Sequence, residues 1–185
     1  FVDHTRELLH SDALLLRFFP DGSLDTRFGQ GGAAVFDSKK GDDKAFSVAV
    51  RWDGKIYLAG QVHNGRDTDF AVWRFLSDGS LDKGFGAGGL ARGDFGKGDD
   101  VALSLVLQND DKAIVGGTAV GVKDKDFAIA KFLPDGAPEI TFGLDGKMIT
   151  ALGDIQDRSG DESGYGILVL PNGNIIQSGF SEIRN

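Results

Sequence analysis

Residues 75–89 read FLSDGSLDKGFGAGG, and residues 18–32 read FFPDGSLDTRFGQGG. A third copy, FLPDGAPEITFGLDG, occupies 132–146. The Asp-Gly pair of the phrase falls at Asp21-Gly22, Asp78-Gly79 and Asp135-Gly136, a step of 57 residues each time, and Phe28, Phe85 and Phe142 keep that step. A second phrase travels with it: Trp52-Asp53-Gly54-Lys55, Asn109-Asp110-Asp111-Lys112 and Pro171-Asn172-Gly173-Asn174. Its last step is 62 residues, five having been added within 154–160. A third, Gly-Asp-Asp, stands at 41–43 and 98–100 and becomes Gly-Asp-Glu at 160–162. Three phrases in one register mark a repeat architecture.

Between the phrases the apolar period is two. Phe46, Val48 and Val50 alternate with Ala45, Ser47 and Ala49; Leu103, Leu105 and Leu107 with Ala102, Ser104 and Val106; Tyr165, Ile167 and Val169 with Gly164 and Gly166. Large on one side and small on the other predicts a first strand buried between two packed sheets. The Asp-Gly, Asn-Asp and Asn-Gly pairs that follow are hairpin-turn signals, because Asn, Asp and Gly tolerate positive φ. A second strand is expected over 56–61, 113–118 and 175–180. A third is expected over 13–18, 70–75 and 127–132, and a short fourth over 33–37, 90–95 and 147–152. Four antiparallel strands per unit, with no helix signal, predict an all-β propeller of four-stranded blades of ~57 residues. Asp78-Gly79 is read as the turn ending strand three, Leu81 and Phe85 as anchors, and the glycines after them as positive-φ corners, with Asp145 taking one in the third copy.

The phrases F-x-x-DGSLD-x-x-FG-x-GG and W-DGK-I-x-L-AG resemble the bacterial delta-60 repeats, which occur in tandem in secreted or surface-associated proteins. The resemblance runs from Asp12 to Phe180 and weakens in the third unit, where Glu139 replaces Asp25 and Asp82. It implies a propeller and an extracellular, cell-surface or periplasmic location; it assigns no catalytic residue. The units divide the chain into a lead-in (1–11), a half blade of strands three and four (12–44), two blades (45–100 and 101–162), a half blade of strands one and two (163–180) and a tail (181–185). Three blade equivalents fall short of the 4–8 that close a ring. Either two copies self-associate into a homodimeric ring of about six blades, or the chain is part of a longer propeller.

Composition narrows the function classes. The chain has 185 residues, 28 of them glycine, and no cysteine, so disulfides, thiolate metal sites and cysteine nucleophiles are out. With 20 basic and 28 acidic side chains the formal charge is −8, which repels nucleic acid. No apolar run approaches the ~20 residues of a membrane span, so membrane insertion is not expected. No basic stretch precedes an apolar one at Phe1, so an export signal is expected to have been removed already.

Motifs that name a chemistry dissolve on inspection. Gly84 to Gly89 satisfies G-x-G-x-x-G, but a strand follows it where a dinucleotide site needs a helix. Arg92-Gly93-Asp94 falls in an expected fourth strand, not at a loop tip. His4, His10 and His63 lack metal-ligand spacing, and no nucleophile elbow is present. Asp21 and Asp25 give two carboxylates where calcium takes 6–8 oxygens, so the first Asp is read as an Asx-turn and the second as the partner of Arg17, Arg74 or Lys131. No cofactor is expected, save calcium at the acidic loops.

The Gly-Asp-Asp loops are the better site. The four-to-one and two-to-three connections share a rim, so Asp42, Asp43, Asp99, Asp100, Asp161 and Glu162 are expected to form an acidic ring at the channel mouth. Trp52, His63, Arg66 and Lys123 are candidate rim contacts. The ring either binds a cation or polar ligand, or its carboxylates are solvated or cap the start of strand one. The expected function is a non-catalytic binding or scaffold module taking a protein or glycan ligand. The alternative is a carbohydrate-active propeller: a lectin-like binder, with Trp52 or Trp73 as sugar platform, or a glycoside hydrolase or lyase.

Overall fold

The computed structural model describes residues 10–121, 124–151 and 160–182. Among them lie twelve strands and no helix: β1 Ala13–Leu16, β2 Ala33–Phe36, β3 Lys44–Val50, β4 Ile56–His63, β5 Thr68–Phe75, β6 Leu90–Gly93, β7 Val101–Leu107, β8 Ala113–Val120, β9 Lys125–Phe132, β10 Lys147–Thr150, β11 Glu162–Val169 and β12 Ile175–Ser181. They form four antiparallel sheets ordered β1-β2, β3-β4-β5-β6, β7-β8-β9-β10 and β11-β12. The fold is all-β and of the propeller type.

The apolar period of two sends alternate residues to different neighbours. In the β3-β4-β5-β6 sheet, Leu58, Ala71 and Trp73 pack against Ala13, Phe28 and Ala34 of the β1-β2 side. Tyr57, Ala59, Phe70 and Val72 pack the other way, against Ala102, Val115, Ala128 and Phe132. This double burial is why β5 reads as the nearly unbroken apolar run FAVWRF. Trp73 and Phe85 are fully buried, each worth roughly 1.5–3 kcal/mol. The rings of Phe36 and Trp73 meet at 5.4 Å across the two sheets.

Every first strand carries a bulge at one place: between Ala45 and Ser47, Ala102 and Ser104, and Gly164 and Gly166. Opposite it stands a glycine, and the close approach of the backbones requires one. A Cβ on Gly60 would come within 1.8 Å of the Lys44 carbonyl, and one on Gly117 within 1.9 Å of Val101. Bulges increase local twist, so the sheets twist alike.

Two expectations are corrected. The expected fourth strands run one to two residues too far, because Asp37 and Asp94 accept the Lys39 and Gly96 amides in Asx-turns that end the ladder. The first strands are not all sandwiched. Leu105 and Leu107 of β7 pack on the preceding sheet, but their counterparts Val48 and Val50 are 56% and 65% exposed. The β1-β2 sheet consists of third and fourth strands only, so no inner strands cover that face among the described residues.

The opening phrase is the joint between sheets. The first Asp makes the Asx-turn, accepting the amide two residues on at 2.9, 2.8 and 2.9 Å from Asp21, Asp78 and Asp135. The second Asp holds the strand-three base, Arg17 on Asp25 and Arg74 on Asp82, at 2.9 Å in both. Each guanidinium lies over the Phe of its own phrase, 4.6 Å from Phe28 and 4.4 Å from Phe85. It then reaches across: Arg17 donates to the Ser77 carbonyl and Arg74 to that of Pro134. The glycine after the Phe does likewise, Gly29 to Asp78 at 2.8 Å and Gly86 to Asp135 at 2.7 Å. The second phrase joins in through Lys55, bound to Asp82, and Lys112, bound to Glu139. Asp145 takes the positive φ of 52° expected of it.

Candidate functional site

The Gly-Asp-Asp connections and the β4–β5 loop do share one end of the sheets, as the register Lys44↔Gln61 and His63↔Thr68 requires. Five of the six acids there accept backbone amides. The first acid of each pair caps the start of a third strand. Asp42 accepts the Ser11 amide at 2.9 Å, Asp99 the Thr68 amide at 3.0 Å and Asp161 the Lys125 amide at 3.2 Å. Asp43 and Asp100 are buried. Asp43 takes the Ser38 and His63 amides, one on each oxygen. Asp100 takes Phe95 at 3.0 Å and Val120 at 3.2 Å in the same way. Each buried carboxylate thus ties the exit of a fourth strand to the end of a second strand in the next sheet. Hydrogen bonds to a charged group contribute about 1.5–3 kcal/mol each. Glu162, also buried, accepts the Ser181 hydroxyl at 3.0 Å.

Beside these acids lie others that the phrases did not single out. Oxygens of Asp69, Asp94 and Asp100 lie within 4.8 Å of one another, and so do those of Asp12, Asp37 and Asp43, 57 residues earlier. The signal was in the sequence, in the recurrence of Asp12 as Asp69 and of Asp37 as Asp94. Burial pushes Asp100 up to about 6, against its two amide hydrogen bonds and with Asp69 and Asp94 adding to the rise. Asp69 is raised too, chiefly by burial, although Arg92 sits 2.7 Å away and Asn64 donates to it at 3.0 Å. Calcium takes 6–8 oxygens, and in the Asp69 cluster Arg92, Asn64 and the backbone already occupy several carboxylate lone pairs. The Arg-Gly-Asp tripeptide is likewise engaged in the framework, its Arg on Asp69 and its Asp in the Asx-turn on Gly96.

The other candidates separate. His63 accepts the Gly65 amide on Nδ1 at 3.0 Å, so its ring is turned to its own loop. Arg66 bonds Asp67 at 2.9 Å and the Gly96 carbonyl at 3.2 Å, while Asp67 accepts the Gly98 amide at 3.0 Å. These bonds join the β4–β5 loop to the β6–β7 connection and hold Asp67 down at about 2, Arg66 being the largest cause. Lys123 lies outside the described residues.

Trp52 is not on this rim. It sits in the β3–β4 hairpin, at the opposite end of the strands, 85% exposed and with the Arg51 guanidinium 5.3 Å from its ring. Trp73, fully buried, is no sugar platform. Two surface grooves also lie toward that opposite end. One, of about 530 Å3, is lined by Arg27, Gln30, Val35, Asp78 and Ser80. The other, of about 490 Å3, lies between the hairpins at Gln108-Asn109 and Leu170-Pro171.

The chain is similar to a family described as "Domain of unknown function (DUF5122) beta-propeller", whose model matches residues 11–28 and 53–85. The matched stretches take in β1, β4 and β5, with the following phrase as far as Phe28 in the first and Phe85 in the second. No curated protein matches the chain.

Proposed function

We propose that this chain is a non-catalytic propeller module of a secreted or surface-associated bacterial protein, a scaffold that binds a protein or glycan on the rim carrying the β4–β5 loop. The observation behind this reading is a division of labour on that rim. The buried Asp43 and Asp100 bond backbone amides in the same way 57 residues apart, whereas His63 and Asn64 of the β4–β5 loop do not recur. His63, Asn64 and Arg66 decorate one loop; Val120 and Gly121 stand at the places of the first two in the next. A repeated frame with unrepeated decoration suits recognition better than chemistry, which needs a convergent set of groups. The delta-60 resemblance supports export.

A glycan-binding reading draws on Trp52, an exposed indole on the opposite rim. A glycan array and a pull-down from bacterial culture supernatant, run on the native chain and on Arg66→Glu and Trp52→Ala, distinguish the two. The proposed rim requires binding to be lost in Arg66→Glu and kept in Trp52→Ala. The reverse pattern moves the site to the hairpin end, and turnover of any arrayed glycan overturns the non-catalytic reading.

A further inference from the structure

The dipeptide Asn-Gly occurs twice, at Asn64-Gly65 in the β4–β5 loop and at Asn172-Gly173 in the β11–β12 hairpin. In this pair a side-chain amide can react with its own backbone, because glycine has no Cβ to hinder the approach of its nitrogen to the Asn Cγ. The nitrogen must first give up its proton, so what its N–H faces matters. The Gly173 N–H is spent on the Leu170 carbonyl at 2.9 Å, an oxygen too weakly basic to take a proton. The Gly65 N–H donates to His63 Nδ1 at 3.0 Å, a nitrogen that can take one.

The rest of the loop fits the same reaction. Asn64 Oδ1 accepts the Arg66 amide at 2.8 Å and the Asp67 amide at 3.2 Å, two donors standing where negative charge develops when Cγ turns tetrahedral. Asn64 Nδ2 donates to Asp67 at 2.6 Å and to Asp69 at 3.0 Å. Arg66 favours the ionised form of Asp67, and a carboxylate at this place favours the positive charge the nitrogen gains as it leaves. The imidazole is held by the repeated frame. The His63 amide donates to the buried Asp43 at 3.0 Å, and its ring lies so close on Gly41 that an added Cβ there would meet it at 2.7 Å. Gly65 and Arg66 are exposed, so water reaches the loop. In the next unit Val120 and Gly121 stand in place of His63 and Asn64, and the set is not repeated.

We propose that Asn64-Gly65 is a self-modification site, at which the chain closes a succinimide between the Gly65 nitrogen and Asn64 Cγ with His63 as the base. His63 Nδ1 takes the Gly65 proton, and the freed electron pair of the nitrogen attacks Cγ. The Cγ–Nδ2 bond then breaks, and the nitrogen departs as ammonia with the proton that His63 received. Water opens the ring at either carbonyl, leaving aspartate or isoaspartate at position 64. Each chain reacts once, so this is not turnover. The product puts a third carboxylate against Asp67 and Asp69, where an amide had donated to both, and so loosens the β4–β5 loop.

The test incubates the purified chain near neutral pH and weighs its tryptic peptides over days. The fragment Ile56–Arg66, released beforehand and incubated alongside, supplies the same sequence without the fold. Asn64 is expected to gain about one dalton at least tenfold faster in the folded chain than in the fragment, and at least tenfold faster than Asn172 in the same folded chain. His63→Ala is expected to slow Asn64 at least fivefold and leave Asn172 unchanged, and added imidazole to restore at least half of the lost rate. A purely structural His63 would give imidazole nothing to replace. Asn64 converting no faster than the fragment, Asn172 converting first, or a His63→Ala rate that is unchanged or that imidazole does not restore, overturns the proposal.

Discussion

The Arg74 guanidinium reaches out of its own sheet to donate to the Pro134 carbonyl in the next, 60 residues along the chain. Its Nε stays on Asp82, and its planar face covers the Phe85 ring. One buried side chain therefore ties a strand, its outgoing turn and the neighbouring sheet.

Replacing Arg74 with Ala removes all three ties and leaves Asp82 with Lys55 and the Gly84 amide. Breaking a buried, hydrogen-bonded charge pair costs about 3–5 kcal/mol, and partial exposure of Asp82 trims that toward ~2–4. At ~2–4 °C per kcal/mol for a chain of this size, Tm falls by on the order of 10 °C. Arg74→Lys keeps the charge but cannot bond in two directions, so it recovers less than half the loss. Thermal unfolding by circular dichroism reads both; full recovery with lysine would show that charge, not the fork, does the holding.

The glycines opposite the bulges are predicted to tolerate nothing larger. Gly117→Ala drives a methyl into the Val101 carbonyl at 1.9 Å, and soluble folded protein is not expected. Gly93→Ala is the contrast: it is equally buried, but its nearest neighbours stand at 3.4 Å, ordinary contact. Its stability should stay within ~1 kcal/mol of the parent in urea titration.

Asp100 sets a pH dependence. Its folded value of about 6 lies above the ordinary 3.8, so the folded state binds more protons than the unfolded one between them. Stability from this group is therefore present at low pH and is lost as pH rises through that window. Asp100→Asn loses the titration and one of the two amide acceptors. It should be less stable than the parent at pH 4.5, by a margin that narrows at pH 7.5. Equal margins in urea midpoints at the two values would remove Asp100 as the source.

Calcium is expected to do little. Asp94 and Asp100 already accept backbone amides, and Arg92 stands against Asp69. Millimolar calcium should therefore move Tm by less than ~1 °C in the native chain. A rise of several degrees that disappears in Asp94→Asn, a variant outside the amide bonding of Asp100, would reveal a bound ion.

Much of the frame was legible in one dimension. Period-two alternation located the strands, and the spacing of Arg74 and Asp82 on either side of an Asp-Gly turn predicted their ion pair. The direction in which a carboxylate points was not legible. Asp43 and Asp100 recur as surface-looking acids in glycine-rich loops, and only three-dimensional closure shows that each bonds amides 5 and 20 residues away. Trp52 failed for a related reason: a residue next to a turn can be assigned to a rim only when the hairpin's polarity is followed along the whole strand. The exposed Val48 and Val50 depend on a neighbour that a strand's own pattern cannot report.

The joint also bears on how such a chain lengthens. Its donors, the base and the glycine amide, and its acceptors, the carbonyls at the Asp-Gly turn, all reside within the fifteen-residue phrase and the one residue before it. A duplicated unit therefore inherits both sides of the fastening at once and fits its own parent without further change. Arrays of this kind can grow or shrink by whole copies, because compatibility with the next member is inherited along with the fold.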